Sequence, residues 1–383
     1  MLLDSIDFEF LKLTGLCRYM PTGLNRKYDS PCFKRRVIFN LQEHRFIKLM
    51  SDRLSYKLTK RGRDVLAEMG IEFTKDARTN IKRSAYVNKL KNAQLNIVLS
   101  LAGINVYYKT ARELTGVKYG YMSSLSLRSD NNMKVLSGAK FLGVLKFAEI
   151  AYIPYYIENK DSWVYPQFEK ETYLSQIETV KDVKEVQLLL AGNTLEELWS
   201  NLSRPTESVN IVNGQKPFYS ALEEFGCEYS LIPVGKEGVL QMSVMTLWRY
   251  RERIAEAVGC SENNIGILKE CDGFIEGKPC IIGVDFNVKR ITRALNQIKK
   301  YNKALIPTIF CLPFQKKTMF KLLERNFNSK TYVVAISKKD IYNVFPELNN
   351  ITVEKKPCIT KWGEYIDIPE KYNSKNSNEC DEE

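Results

Sequence analysis

Residues Ser30–Met69, SPCFKRRVIFNLQEHRFIKLMSDRLSYKLTKRGRDVLAEM, constrain the fold of this chain more than any other stretch. The segment reads as a helix, a short strand, a basic turn, a second strand and a second helix. Ser30 can cap the first helix, and Pro31 suits its first position, where the missing N–H costs nothing. Phe33, Val37, Ile38 and Leu41 recur at i, i+4, i+5 and i+8 and give that helix one apolar side. Lys34, Arg35 and Arg36 cluster near its N-terminal end. Phe46–Leu49 and Tyr56–Leu58 then flank Ser51–Ser55, a hairpin with Arg53 at its tip, and Thr59 caps a last helix carrying Val65, Leu66 and Met69.

Upstream, residues 5–20 begin with a Ser/Asp cap signal and place Ile6, Phe10, Leu13 and Leu16 on a helix. Pro21-Thr-Gly breaks it, and Leu24–Tyr28 forms a short second helix. This order resembles a winged helix-turn-helix, and the run Tyr56–Gly62 resembles the strand-to-helix corner that follows the wing in that family. The resemblance covers about 70 residues. It implies a DNA-binding domain over 1–75 whose Ser30–Gln42 helix enters the major groove of a duplex, N-terminal end first. It further implies Lys34 and Arg35 near bases or phosphates, Arg26 and Lys27 on the backbone, and Arg53 reaching a neighbouring minor groove. Arg36 and Lys57 complete the expected DNA-binding set. Charge supports this assignment: residues 1–92 hold 20 Lys and Arg against 10 Asp and Glu, a net +10 of the chain's +12. A basic excess confined to one segment is the electrostatic footprint of phosphate contact.

Composition excludes several chemistries. His44 is the chain's one histidine, and Ser-His-Asp triads, His-rich zinc sites and the paired-histidine centre of rolling-circle relaxases all need imidazoles that this chain barely has. His44 itself follows the expected recognition helix, where a half-exposed structural role is expected. The nine cysteines include no CxxC pair, which argues against zinc ribbons and disulfide scaffolds and for reduced thiols in a cytoplasm. No apolar run approaches the ~20 residues of a bilayer span, and the N-terminus has no basic n-region, so neither a membrane nor a signal peptide is expected. At 383 residues the chain has room for two or three domains.

Residues 76–240 read as a connector followed by an α/β middle region. Glu72–Asn92 is polar and basic, a connector able to turn helical before Ala93–Gly103, which is an apolar helix. Gly116–Arg128 is strand or loop, Phe141–Ile157 is a hairpin, and Trp163–Leu174 leads toward a helix. Val186–Ala191 is a buried strand, Thr194 caps a helix through Leu202, and Ser208–Val212 is another strand. Pro217–Phe225 is helical and Tyr229–Pro233 is again a strand, an alternation that argues for an α/β layer. No internal repeat is evident. Residues 366–383, which include the polar Tyr372–Glu383 end, are expected to be a disordered tail.

Residues 241–365 carry the constellation closest to chemistry. Ser243–Val258 reads as one helix. Three strands follow (Ile265–Lys269, Asp272–Ile275, Cys280–Phe286), then a helix from Val288 to Asn302, strand Pro307–Leu312, helix Gln315–Asn326 and strand Tyr332–Ile336. This αβββαβ order resembles the PD-(D/E)xK, or restriction-endonuclease-like, core. The resemblance implies Asp272 and Asp285 as ligands of a divalent cation, Mg²⁺, which would activate water and stabilise charge on the phosphate. The family's lysine belongs two residues after Asp285, where this chain has Asn287. Lys289 is the nearest substitute, and Glu256 stands as a third acid. The missing lysine favours a non-catalytic core over an active one. Without a partner, a carboxylate at the end of the apolar strand before Asp285 would be costly.

A winged helix first and a nuclease-like core last is also the layout of the replication-relaxation family of bacterial mobile elements, which this chain resembles in order of elements. The fold class is thus α+β or α/β. Three functions follow: a cytoplasmic, sequence-specific double-stranded DNA-binding protein of a plasmid, phage or conjugative element, acting in replication, mobilisation or its regulation; a Mg²⁺-dependent endonuclease using Asp272, Asp285, Lys289 and Glu256; or a transcriptional regulator whose C-terminal region binds a ligand or partner. A homodimer on paired half-sites and replication or mobilisation proteins are the partners compatible with the first.

Overall fold

The computed structural model describes residues 3–71, 82–124, 126–127, 141–158, 182–204, 217–224, 226, 228–262, 266–326, 330–349, 355–359 and 365–369. The chain divides into two compact units, Met1–Ile97 with Asn350–Glu383, and Val98–Asn349. Both mix helices with sheets. Among the described residues no helix is long and apolar enough to cross a membrane.

The first unit opens with α1 (Ser5–Cys17). Asp4 caps it by accepting from the Ile6 and Asp7 amides at 2.8 Å each, and Asp7 accepts from the Asp4 amide in return. β1 (Met20–Pro21), α2 (Leu24–Lys27), α3 (Arg35–Glu43), β2 (Ile47–Leu49), β3 (Ser55–Leu58) and α4 (Lys60–Glu68) follow. The three strands form an antiparallel sheet in the order β1-β3-β2. Phe10 lies edge-on to both Phe33 and Tyr56, and Leu41, Phe46 and Leu66 are buried with it.

The helix expected from Ser30 does not start there. Pro31–Phe33 makes a single 3-10 turn, Lys34 is extended at ψ 142°, and α3 begins only at Arg35. The Ser30 hydroxyl lies 3.2 Å from the Cys32 sulfur and caps nothing. Ile38 and Leu41 face inward as their spacing requires. The second expected cap is present: Thr59 Oγ1 accepts from the Gly62 amide at 3.2 Å and starts α4. Gly62 is needed at this corner, because a Cβ there would run into the Phe46 carbonyl oxygen. α5 (Arg83–Leu101) starts within the connector, ten residues before Ala93, where the sequence left room for helix. β13 (Lys355–Ile359) and β14 (Tyr365–Pro369) pair antiparallel, so part of the segment expected as tail is strand. Residues 370–383 lie outside the described residues.

In the second unit, α6 (Ala111–Leu114) precedes β4 (Tyr119–Ser123), β5 (Gly143–Phe147), β6 (Ile150–Tyr156), β7 (Glu185–Gly192) and β8 (Tyr229–Pro233). These lie side by side in sequence order, antiparallel from β4 to β6 and parallel from β6 to β8. α7 (Leu195–Leu202), capped by Thr194, and α8 (Phe218–Glu224) come between β7 and β8. The helix expected near Trp163–Leu174 and the strand at Ser208–Val212 lie outside the described residues. α9 (Lys236–Met245) and α10 (Tyr250–Ala257) then lead to β9 (Gly273–Ile275) and β10 (Lys278–Ile282). α11 (Val288–Tyr301), β11 (Thr308–Cys311), α12 (Lys316–Asn326), β12 (Tyr332–Ala335) and α13 (Lys338–Val344) complete the unit. β9 and β10 form a hairpin, and β11 and β12 add in parallel.

The two sheets therefore repeat one topology, a hairpin followed by two parallel strands (β5-β6-β7-β8 and β9-β10-β11-β12), although the sequence shows no repeat. They share one core, with Leu190, Leu231, Phe286, Ile291 and Ile309 in a single cluster. Ser230 of β8 bridges to Asn287, and the Leu231 amide donates to the Phe286 carbonyl at 3.2 Å. The boundary expected near residue 240 thus falls within one core.

Three sequence expectations need correction. The Ser243–Val258 helix is two helices, broken where Arg249 takes a left-handed φ of 51°. The expected first strand, Ile265–Lys269, is a 3-10 turn at Gly266–Leu268, because β9 is met on its free edge by Ser261 instead. The third strand stops at Ile282 rather than Phe286, since the Phe286 amide turns back to the Gly283 carbonyl at 3.0 Å. The αβββαβ expectation is reduced by one strand.

Candidate functional site

In the first unit, Lys34, Arg35 and Arg36 are all exposed where α3 begins. No side chain caps that end, so its first amides stay available to an anion. Phe39, 63 % exposed, and Asn40 continue the outward side of α3. Arg26 is exposed on α2, and Arg53, at φ 58°, sits at the tip of the β2–β3 loop. Two members of the expected set are placed otherwise. Lys27 is half-buried and bonded to the Gln94 side chain. Lys57 is buried in β3. Lys48, opposite Lys57 in the ladder, is exposed instead. The alternation after buried Ile47 was the signal for it. His44 is half-buried, and its Nδ1 donates to the Asn40 carbonyl at 3.0 Å at the end of α3.

In the second unit, Asp272 and Asp285 meet around Arg290, in the first turn of α11. Arg290 Nη1 lies 3.1 Å from Asp272 Oδ2, and Nη2 lies 3.6 Å from Asp285 Oδ1. Arg290 also donates to the Ile282 carbonyl, and Asp272 accepts from the Ile282 amide at 2.6 Å. Arg251 of α10 pairs with the second Asp285 oxygen, to which the Tyr250 hydroxyl also donates at 3.3 Å. Asp285 is 1 % exposed. Burial alone pushes its carboxyl up, but the guanidiniums of Arg251 and Arg290 and the Asn287 amide hold it at about 2. The partner required for this buried carboxylate is thus a pair of arginines.

Asn287 does not occupy a catalytic lysine's role. Its side-chain oxygen accepts from the Arg290 amide at 2.9 Å, capping α11, while its Nδ2 donates to Gln187 and Glu228, each at 3.2 Å. Arg293 extends this network to Glu228 and Glu270. Lys289 turns away and donates to the Gly226 carbonyl at 2.8 Å. Glu256 is exposed and lines a surface groove with Arg253 and Asp340. Of the four expected catalytic residues, the structure brings together Asp272 and Asp285 only.

These residues do not fit Mg²⁺. The cation would have to enter where the Arg290 guanidinium already neutralises both carboxylates, and like charges would repel. Among the described residues, no group of three or more His, Cys, Asp or Glu could hold a metal ion. Sequence reasoning missed Arg251 and Arg290. Arg290 could have been found: it precedes Ala294 and Ile298 at helical spacing, a cation on the apolar stripe of α11. Comparison with family models, with curated proteins and with solved structures found no match.

Proposed function

We propose that this protein binds double-stranded DNA through its first unit, as a winged helix-turn-helix, and that its second unit is a non-catalytic nuclease-like core. The observation that carries the reading is the start of α3, where three exposed cations surround an uncapped helix end. The α1-β1-α2-α3-β2-β3 order, with the sheet ordered β1-β3-β2, supports it. A role in the replication, mobilisation or regulation of a mobile element, within a cytoplasm, follows from the resemblance to replication-relaxation proteins. The core is read as non-catalytic because an arginine stands between the two carboxylates that a metal would need.

The test is duplex binding by the full chain across a salt series, compared with the Lys34→Ala/Arg35→Ala/Arg36→Ala variant. Binding should weaken, and the salt slope should flatten by about 0.9 for each phosphate that is no longer neutralised. An unchanged slope would remove α3 from the interface. Adding Mg²⁺ to plasmid DNA with the native chain addresses the core: intact DNA is expected, whereas cleavage that disappears in Asp285→Ala would restore the endonuclease reading.

A further inference from the structure

Cys260, just beyond α10, and Cys280, on β10, sit on one face of the β9–β10 hairpin. Gly273 of β9 pairs with Cys280 in antiparallel register, and directly opposed residues project to the same face with Cβ atoms about 4.5–5.5 Å apart. Gly273 has no Cβ, and the place one would take lies 2.8 Å from the Cβ of Cys260. The Cys260 side chain therefore fills the gap opposite Cys280. Such neighbours suit a disulfide, whose Cβ atoms stand about 3.5–4.5 Å apart. Cys280 is buried and Cys260 is partly exposed, so solvent reaches the pair through Cys260.

We propose that Cys260 and Cys280 are an oxidation site that forms a reversible intramolecular disulfide with hydrogen peroxide as oxidant. The Cys280 thiolate attacks one peroxide oxygen; the O–O bond breaks, and the departing hydroxide is protonated to water. Cys260, losing its proton, then attacks the resulting Cys280 sulfenic acid. The S–O bond breaks and a second water leaves. Two thiols give up two electrons and two protons, and one peroxide becomes two waters. Cys280 is held below the usual thiol range by the hydrogen bond from Cys260, and Cys260 is raised correspondingly. By contrast, burial pushes Cys17, Cys32, Cys271 and Cys311 up to about 12, which leaves them unreactive.

The experiment treats the full-length protein with hydrogen peroxide, blocks remaining thiols by alkylation before unfolding, and maps unreduced peptides by mass. A Cys260–Cys280 linked peptide that a dithiol removes is expected, present also in Cys271→Ser and absent in Cys260→Ser. Recovery of Cys260 as sulfinic or sulfonic acid with Cys280 still reduced would overturn the proposal. So would a link from either cysteine to Cys271. The native chain alone decides the matter, whatever the variants do to folding.

Discussion

The Arg290 guanidinium donates to the Glu270 and Ile282 carbonyls and pairs with Asp272 and Asp285, so one side chain accounts for both carboxylates that stand out in the sequence. Removing a partner from a buried ion pair commonly costs about 3–5 kcal/mol, because the remaining charge is left uncompensated. Asp285→Asn should destabilise the second unit by about that amount at neutral pH, read as a lower denaturant midpoint. Asp285 has a folded pKa of about 2, below the ~3.9 of an unfolded aspartate. Its ionic contribution is therefore full above about pH 4 and is lost as pH falls through 2. The difference between Asp285→Asn and the native chain should shrink over that window, and a constant difference would show that the carboxylate's charge is not what matters. The need for a partner on Asp285 was legible from its apolar strand. The identity of the partners was not, because Arg251 lies 34 residues away and nothing local couples it to the strand.

The helices and strands of the first unit were largely legible, because capping and periodicity are local properties. Thr59 announces α4, and the spacing of Ile38 and Leu41 orients α3. Ser30 and Thr59 looked equivalent in sequence, yet only Thr59 accepts an amide, since the 3-10 turn displaces the start of α3 by four residues. Thr59→Ala should cost about 1 kcal/mol, whereas Ser30→Ala should stay within about 0.5 kcal/mol of native stability. Thermal melts of the two variants check the contrast; equal losses would mean that Ser30 supports the helix after all. The missed break at Arg249 has a different cause. A left-handed arginine carries no composition signal of the kind a glycine gives, so two helices read as one.

At the scale of the whole second unit, the shared core could not be anticipated from sequence, since each sheet alone has a complete apolar pattern. Phe286 lies in the cluster that both sheets contribute to, and its carbonyl is bonded to β8. Phe286→Ala should cost about 3–5 kcal/mol. Amide exchange should then accelerate in β7 and β8 as well as in β10 and β11; acceleration in only one sheet would show that the two open separately. The repeated hairpin and crossover pattern was equally hidden, because topology is carried by strand order and not by matching residues. Asn287 has a consequence on the timescale of descent. A lysine there would uncap α11, sever the tie to Gln187 and Glu228, and bring a further cation toward carboxylates that Arg290 already holds. Exchange of this one residue therefore calls for compensating changes at several others at once, so the asparagine acts as a ratchet.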